Sequence, residues 1–111
     1  MITAEVTPGK NESHFKITLF TDGEHYTDIE VNALSAECVR FTSTTCARIT
    51  TEDCDMDIEV NDALSRLLYD MGYKKIVYSA PSGTQVTRHA RLYRKARGMW
   101  HFMVPLDEIY G

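Results

Sequence analysis

The feature that most constrains the fold is a change of hydrophobic period along the chain. Apolar and polar residues alternate over residues 14–21, which is typical of a strand that buries one face. Over residues 62–71 the apolar residues follow the spacing of an amphipathic helix, and residues 74–80 contain the apolar run Ile-Val-Tyr of a buried strand. A chain with both periods must combine sheet and helix around one core.

The first alternating segment continues into a β-hairpin signal. Asp22-Gly23 separates it from a second β-rich run, residues 25–31, and an Asp-Gly pair in this position is typical of a tight turn. A two-residue loop would pair Ile17 with Asp28, whereas a three-residue loop pairs Ile17 with Ile29 on the same face. We expect the three-residue loop because it places apolar residues opposite each other.

A βαβ unit is predicted in the middle of the chain. Residues 53–60 alternate acidic and apolar side chains, which indicates a half-buried strand. Asn61 or Asp62 then caps a helix, and Gly72 lies where that helix should end. Residues 74–80 form the second strand, so the two strands should be parallel with a right-handed connection.

The last third of the chain is predicted to contain a helix and a closing strand. The sequence Pro81-Ser82-Gly83 interrupts the preceding strand. Residues 84–97 then place Ala90 and Tyr93 on one helical stripe, and residues 99–106 read as a strand.

Residues 32–50 are harder to read. They fit either a short helix over 32–40 or one or two strands over 39–49, and their threonine and β-branched content favours strand.

The 111 residues are enough for one core, so we expect a single domain over residues 1–111. The predicted fold class is α/β (α+β), with a mixed, mainly antiparallel sheet, an N-terminal hairpin, one βαβ unit and two helices. The predicted core comprises Phe15, Ile17, Leu19, Ile29, Met56, Ile58, Leu64, Leu67, Leu68, Ile76, Tyr78, Tyr93, Phe102 and Val104.

Charge is divided unevenly along the chain. Residues 1–70 hold 14 acidic and 5 basic side chains, whereas residues 71–111 hold 7 basic and 2 acidic ones. The formal net charge of −4 therefore hides a strong polarity. Either the two parts neutralise each other across an internal surface, or the basic part meets an anion such as a phosphate, a nucleic acid or an acidic protein.

The predicted strand 53–60 would carry an acidic ladder of Asp53, Asp55, Asp57 and Glu59. Like charges about 6.6 to 7 Å apart on one strand face repel each other and need compensation. A flat strand does not wrap around an ion, so we expect no metal there. The ladder is instead a candidate contact surface for a basic partner.

The predicted helix 84–97 carries five cations and no carboxylate. On a helix, Arg88, Arg91 and Lys95 fall on one face, where they could line a groove for phosphates.

Cysteine and histidine form no recognisable site. Cys38, Cys46 and Cys54 are an odd number without metal-ligand spacing, and the histidines lack ligand partners nearby in sequence. We therefore expect reduced thiols, no metal and a cytoplasmic protein. No apolar run approaches the roughly 20 residues that a membrane helix needs, so no membrane partner is expected.

From residue 53 to residue 106 the chain resembles the GNAT N-acetyltransferases. Residues 62–78 (DALSRLLYDMGYKKIVY) are similar to the family's helix 3 and strand 5, and Leu92-Tyr93-Arg94-Lys95 matches its L-Y-x-K motif in helix 4. The resemblance implies a GNAT-like fold in which the hairpin stands for strands 2 and 3. It also implies acetyl-CoA as cofactor, with Tyr93 as general acid toward the thiolate of coenzyme A and with Arg88, Arg91 and Lys95 near its phosphates.

The chain departs from the family at the phosphate-binding loop. In place of the glycine-rich sequence before helix 3 it has Glu59-Val60-Asn61-Asp62, whose carboxylates repel a phosphate.

Our leading hypothesis is therefore a small regulator or inhibitor of the phage or plasmid type. It would need no cofactor and would bind a protein partner through the acidic strand face or the basic helix. The alternative is an active acetyl-CoA-dependent N-acetyltransferase, and a weaker one is a nucleic-acid-binding protein. The sequence does not name the partner, the acyl acceptor or the oligomeric state, and it leaves open whether the protein is an enzyme.

Overall fold

The computed structural model describes residues 1–42, 55–84 and 86–111, with side chains from residue 58 onward in the second range. The described part contains seven strands and two helices. In chain order the elements are β1 (Ile2–Pro8), β2 (His14–Thr21), β3 (Glu24–Ala33), β4 (Cys38–Phe41), α1 (Asp55–Asp70), β5 (Lys75–Pro81), β6 (Arg91–Ala96), β7 (Met99–Pro105) and α2 (Leu106–Tyr110).

The strands form one sheet in the order β1-β2-β3-β4-β5-β7-β6. Every neighbouring pair is antiparallel except β4 and β5, which are parallel and are connected through α1. This confirms the predicted fold class: a mixed, mainly antiparallel sheet with an N-terminal hairpin, one βαβ unit and two helices. The first strand of the βαβ unit is β4 rather than residues 53–60.

The register of the β2–β3 hairpin is the predicted one at its centre, with Ile17 opposite Ile29. The loop, however, has two residues rather than three, because Thr21 pairs with Glu24. Asp22 and Gly23 both have positive φ, 50° and 85°, as a tight primed turn requires. A bulge in β3 at Tyr26 then shifts the register by one residue, which restores apolar pairing.

The predicted strand over residues 53–60 is wrong, because residues 55–60 belong to α1. Residues 53 and 54 lie outside the described part of the chain. Val60 is buried together with Leu64 and Leu68, four and eight residues later, so all three form one helical stripe against the sheet. The alternation over residues 53–60 is too short to exclude a helix. The buried residues Leu64 and Leu68 in the next two turns continue the helical spacing from Val60.

The predicted end of this helix at Gly72 is confirmed. Gly72 has φ 104°, and its N–H donates to the carbonyl of Tyr69 at 2.9 Å while the N–H of Tyr73 donates to the carbonyl of Leu68 at 3.1 Å. These two bonds form a Schellman motif, which satisfies carbonyls at the end of the helix.

The predicted helix over residues 84–97 is also wrong. Residues 91–96 form β6, whose pairing with β7 places Ala96 opposite Met99 across the turn at Arg97-Gly98. Gly98 has φ 67°, so it provides the left-handed residue of this turn. A glycine between two segments of similar length is a hairpin signal, and here it outweighs the helical spacing of Ala90 and Tyr93.

The remaining segments extend the sheet. Strands β5 and β7 are confirmed close to their predicted limits, and the strand expected within residues 32–50 corresponds to β4. Residues 43–50 lie outside the described part. Strand β1 and the short helix α2 were not predicted.

The core lies between the sheet and α1. Nine of the predicted core residues are buried, but Tyr93 is 58% exposed and was wrongly assigned to the core. Phe15 and Leu67 pack against the core from its margin, and the side chain of Met56 is outside the described part. The buried apolar residues are Ile17, Leu19, Ile29, Val31, Val39, Phe41, Val60, Leu64, Leu68, Ile76, Tyr78, Ala80, Phe102, Val104 and Leu106.

Candidate functional site

Alternation along the strands gives the sheet a second face, opposite the core. Two cross-strand rows define what we call the open face of strands β4, β5, β7 and β6. Directly paired residues share a face, so the register identifies the members of each row. The first row is Arg40, Val77, Met103 and Arg91, and the second is Ser79, His101 and Arg94.

The strand order turns the charge division of the sequence into a spatial one. Strands β5, β7 and β6, all from residues 71–111, are contiguous at one edge of the sheet, and β1 lies at the other edge. Among the described residues, the ion pair of Lys74 with Glu37, 3.2 Å between Nζ and Oε1, joins the basic part to the acidic part. Arg91 instead pairs with Glu108 from within its own part. The charge polarity therefore persists across the sheet.

A cavity of about 240 Å³ opens on this face where β4 and β5 separate. Among the described residues the two strands pair at three positions, of which Arg40 opposite Val77 is the last, while β5 continues to Pro81. The cavity extends across four strands because its wall includes Tyr93 of β6 and His101 of β7. Its lining residues are Arg40, Val77, Tyr78, Ser79, Tyr93 and His101.

Four polar side chains meet in this cavity: those of Arg40, Ser79, Tyr93 and His101. The hydroxyl Oγ of Ser79 lies 2.7 Å from Nδ1 of His101, and the ring centroid of Tyr93 lies 6.2 Å from that of His101 at an interplanar angle of 45°. Ser79 thus holds the imidazole through Nδ1, so chemistry of this ring with a ligand would use Nε2. The arrangement offers an oriented imidazole, a phenol and the guanidinium of Arg40.

Tyr93 lies in this cavity as part of a strand, whereas the sequence analysis placed it on a helix. It is the extra residue of a bulge in β6, between the pairs Leu92–Phe102 and Arg94–His101. The bulge brings its ring against His101 on the open face. The motif Leu92-Tyr93-Arg94-Lys95 is therefore part of an edge strand and not of a helix.

The predicted cationic row of Arg88, Arg91 and Lys95 is not formed. Arg91 belongs to the open face, whereas Lys95 pairs with Trp100 on the opposite face and its Nζ lies 5.1 Å from the centroid of the indole. Arg88 precedes β6, and its Nε donates to Nε2 of His89 at 3.3 Å. Residues that share one face of a helix lie on different faces of a strand, so these three cations do not form one row.

The predicted acidic ladder is not a strand face either. Asp53 lies outside the described residues, and Asp55, Asp57 and Glu59 belong to the first turns of α1. Acidic residues are favourable at a helix N-terminus, so the sequence pattern there is compatible with the helix itself. The described part of the chain contains no cluster of metal-ligating side chains.

Cys38 lies on β4 two residues before Arg40, so both belong to the same face of that strand. Burial raises the pKa of its thiol, and the nearby cations of Lys75 and Arg40 oppose this effect only in part. The thiol is therefore protonated near neutral pH, which is unfavourable for a nucleophile.

Sequence reasoning named Tyr93 but missed Ser79, His101 and Arg40. Each lies in a mainly apolar strand without any local motif, and only the strand order brings the three together. Alternation along β5 and β7 would have placed Ser79 and His101 away from the core, but it does not show that these strands are neighbours.

Comparison with solved structures identifies the fold. A GNAT family acetyltransferase from Elizabethkingia anophelis with acetyl-CoA bound has a TM-score of 0.62 at 8% identity, over 94% of this chain and 97% of that one. The N-acetyltransferase PseH from Campylobacter jejuni in complex with acetyl coenzyme A has a TM-score of 0.57 at 8% identity, over 86% and 70%. The PaiA N-acetyltransferase from Thermoplasma acidophilum in complex with coenzyme A has 0.56 at 7% identity, over 81% and 59%.

The chain therefore has a GNAT-like fold, as the sequence resemblance implied. No family model and no curated protein matches its sequence. None of the helices in the described part of the chain has the length and apolar character needed to cross a bilayer.

Proposed function

We propose that the protein acts by binding an anionic macromolecular partner at the β6 edge of its GNAT-like scaffold, as a regulator or inhibitor would. The observation that carries the proposal is that all six residues of β6 are exposed. This strand and its turn contribute Arg91, Arg94, Lys95 and Arg97 and no carboxylate. We call these four residues the basic edge.

Cations on an edge strand also protect a sheet from pairing with other chains. Two features of β6 go beyond protection. Leu92 is 41% exposed and Tyr93 is 58% exposed, although a strand that only repels neighbours gains nothing from exposed apolar and aromatic groups. Exposed aromatic residues among arginines are typical of binding surfaces.

The charge distribution supports the same proposal. The basic edge lies at one end of a sheet whose strands β1 to β4, toward the other end, belong to the acidic part of the chain. Such a dipolar surface orients an anionic partner toward β6 during encounter, even though the formal net charge is −4.

The proposal is tested by charge reversal at the basic edge. We expect Arg94→Glu with Lys95→Glu to abolish retention on immobilised heparin, which serves as a general polyanion. The matched control, Lys10→Glu with Lys16→Glu, makes the same change in charge outside this edge and should reduce retention much less. Equal loss in the two double variants would contradict a specific basic edge, and so would a wild-type protein that is not retained at low salt.

A second candidate function, acyl transfer from acetyl-CoA, is supported by the cavity between β4 and β5. Ser79 positions the imidazole of His101, which would act as general base toward an amine, and Tyr93 would act as general acid. A GNAT family protein of nearly the same length has acetyl-CoA bound. Glu59, in the second turn of α1, adds a negative charge that is unfavourable for its phosphates.

Calorimetric titration with acetyl-CoA tests this second candidate. Saturable binding, together with turnover that falls in both His101→Asn and Tyr93→Phe, would support acyl transfer. The absence of binding at millimolar acetyl-CoA would exclude it without affecting the first proposal.

A further inference from the structure

The open face combines cations with exposed ring surfaces, and this combination restricts the partner. We infer that the protein binds single-stranded nucleic acid, with bases stacked on Tyr93 and His101 and with phosphates near Arg40 and Arg94. This inference rests on the proposed function, since it names the anionic partner of the same edge.

The spacing of the two cations, Arg40 and Arg94, restricts the kind of ligand that can contact both. Arg40 on β4 and Arg94 on β6 are separated by β5 and β7. Three strand spacings of about 4.8 Å, together with an offset of two residues along the strands, place their backbones about 16 Å apart. A single phosphate or carboxylate cannot contact both side chains at once without drawing them together across the cavity. A ligand that uses both therefore carries at least two separate anionic groups, as a polymer with repeated phosphates does.

Polar and aromatic side chains lie between the two cations. The space between Arg40 and Arg94 is occupied by Ser79, His101 and Tyr93, whose side chains stack or form hydrogen bonds. Tyr93 is 58% exposed, so its side chain is accessible to a ligand. An aromatic surface bounded by arginines matches a chain in which flat bases alternate with phosphates.

The ring surface of Tyr93 favours nucleic acid over acidic protein as the partner. It also favours single strands over duplexes. An acidic peptide uses the cations but has no general need for a stacking surface. In a duplex the faces of the bases are already stacked on one another, so a sheet surface reaches them only in unpaired strands. The cavity of about 240 Å³ beside Tyr93 gives one unpaired base a place to insert.

Fluorescence anisotropy of a labelled 12-nucleotide oligo(dT) tests the inference. The wild-type protein should bind the single strand, and its affinity should fall steeply with salt. Tyr93→Ala should weaken binding about ten-fold or more, because stacking on an aromatic side chain is lost. Tyr93→Phe should retain most of the affinity, since it keeps the ring and removes only the hydroxyl.

The arginines give an independent readout. Arg94→Ala should reduce the slope of log affinity against log salt by about one, as expected when one phosphate contact is removed. Lys10→Ala removes the same charge on the far side of the sheet and should leave the slope unchanged. Because Tyr93 and Arg94 are exposed, both variants should melt at the temperature of the wild type.

The inference and the proposed function fail in different ways. If heparin and polyglutamate bind as well as oligo(dT) and Tyr93→Ala has no effect, the nucleic-acid inference is overturned while an anionic partner remains. If Tyr93→Phe loses as much affinity as Tyr93→Ala, stacking is excluded. If the wild type binds no polyanion, both the inference and the proposed function are wrong.

Discussion

The two hairpins at either side of the parallel strand pair are built alike but behave differently. The hairpin β2–β3 and the hairpin β6–β7 each turn through two residues that end in glycine, and each has a bulge that adds a tyrosine, Tyr26 in the first and Tyr93 in the second. In the first, both strands are central in the sheet and bury apolar residues. In the second, β6 is at the edge and all its residues are exposed.

This difference shows where sequence periodicity comes from. Alternation of apolar and polar residues arises when one face of a strand is buried and the other is solvated. The apolar residues Phe15, Ile17 and Leu19 therefore predict β2. Strand β6 has no buried face, and therefore nothing in its sequence requires a period of two. Residues 84–97 were predicted as a helix because Ala90 and Tyr93 fall at helical spacing, and the arginines and lysine of β6, as good helix formers, do not oppose that prediction.

The largest expected effect is on stability, and it differs between a buried leucine of the first hairpin and an exposed leucine of the second. Leu19→Ala removes a side chain that is 0% exposed in β2 and should lower the free energy of unfolding by about 2 to 5 kcal/mol. Leu92→Ala in β6 removes one that is 41% exposed and should cost about 0.5 kcal/mol or less. Urea unfolding followed by circular dichroism measures both. Comparable losses would mean that β6 is covered in solution.

A smaller effect tests the turn of the β6–β7 hairpin. Gly98 has φ 67°, a conformation that costs a residue with a Cβ about 1 kcal/mol. Gly98→Ala should lower the free energy of unfolding by about this amount, and Gly98→Asn should cost less because asparagine tolerates the left-handed region. Thermal melts of the two variants give the comparison. Identical melting temperatures for Ala, Asn and wild type would show that residues 91–99 do not form this turn.

The smallest expected effect is a pH dependence confined to the first hairpin. Hydrogen bonds from His25 and Thr18 lower the pKa of Asp28 below its ordinary value of about 3.9. Since the folded pKa is the lower one, the stabilisation is present above pH 4 and is lost as the pH falls through the folded pKa. Asp28→Asn should remove this part of the acid sensitivity.

The hairpin β6–β7 contains no carboxylate and serves as the internal reference. Amide exchange between pH 5 and pH 3 should accelerate in β2 and β3 of the wild type relative to the Asp28→Asn variant, after correction for intrinsic rates. In β6 and β7 the two proteins should behave alike. Equal acceleration in both proteins throughout the sheet would assign the acid sensitivity to other groups.

Much of the fold could be predicted, but little of the site. The pairing of Ile17 with Ile29 followed from the apolar pattern, and the end of α1 followed from Gly72. Tyr93 was named from a resemblance to a helical motif, although it lies in an edge strand. Ser79, His101 and Arg40 lie on three different strands, and no local pattern links residues that are 22 and 39 positions apart along the chain.

The sequence alone determined the features that depend on neighbouring residues: the position, though not the length, of the turn at Asp22-Gly23, the end of α1 at Gly72, the apolar strand β5 and the division of charge. Tertiary structure decided the ambiguous segments. Residues 55–60 are helical because Val60 completes a stripe that packs on the sheet, and residues 91–96 are a strand because β7 supplies their hydrogen-bond partners. Local propensities differ by only about 1 kcal/mol per residue, so packing and strand pairing determine such segments.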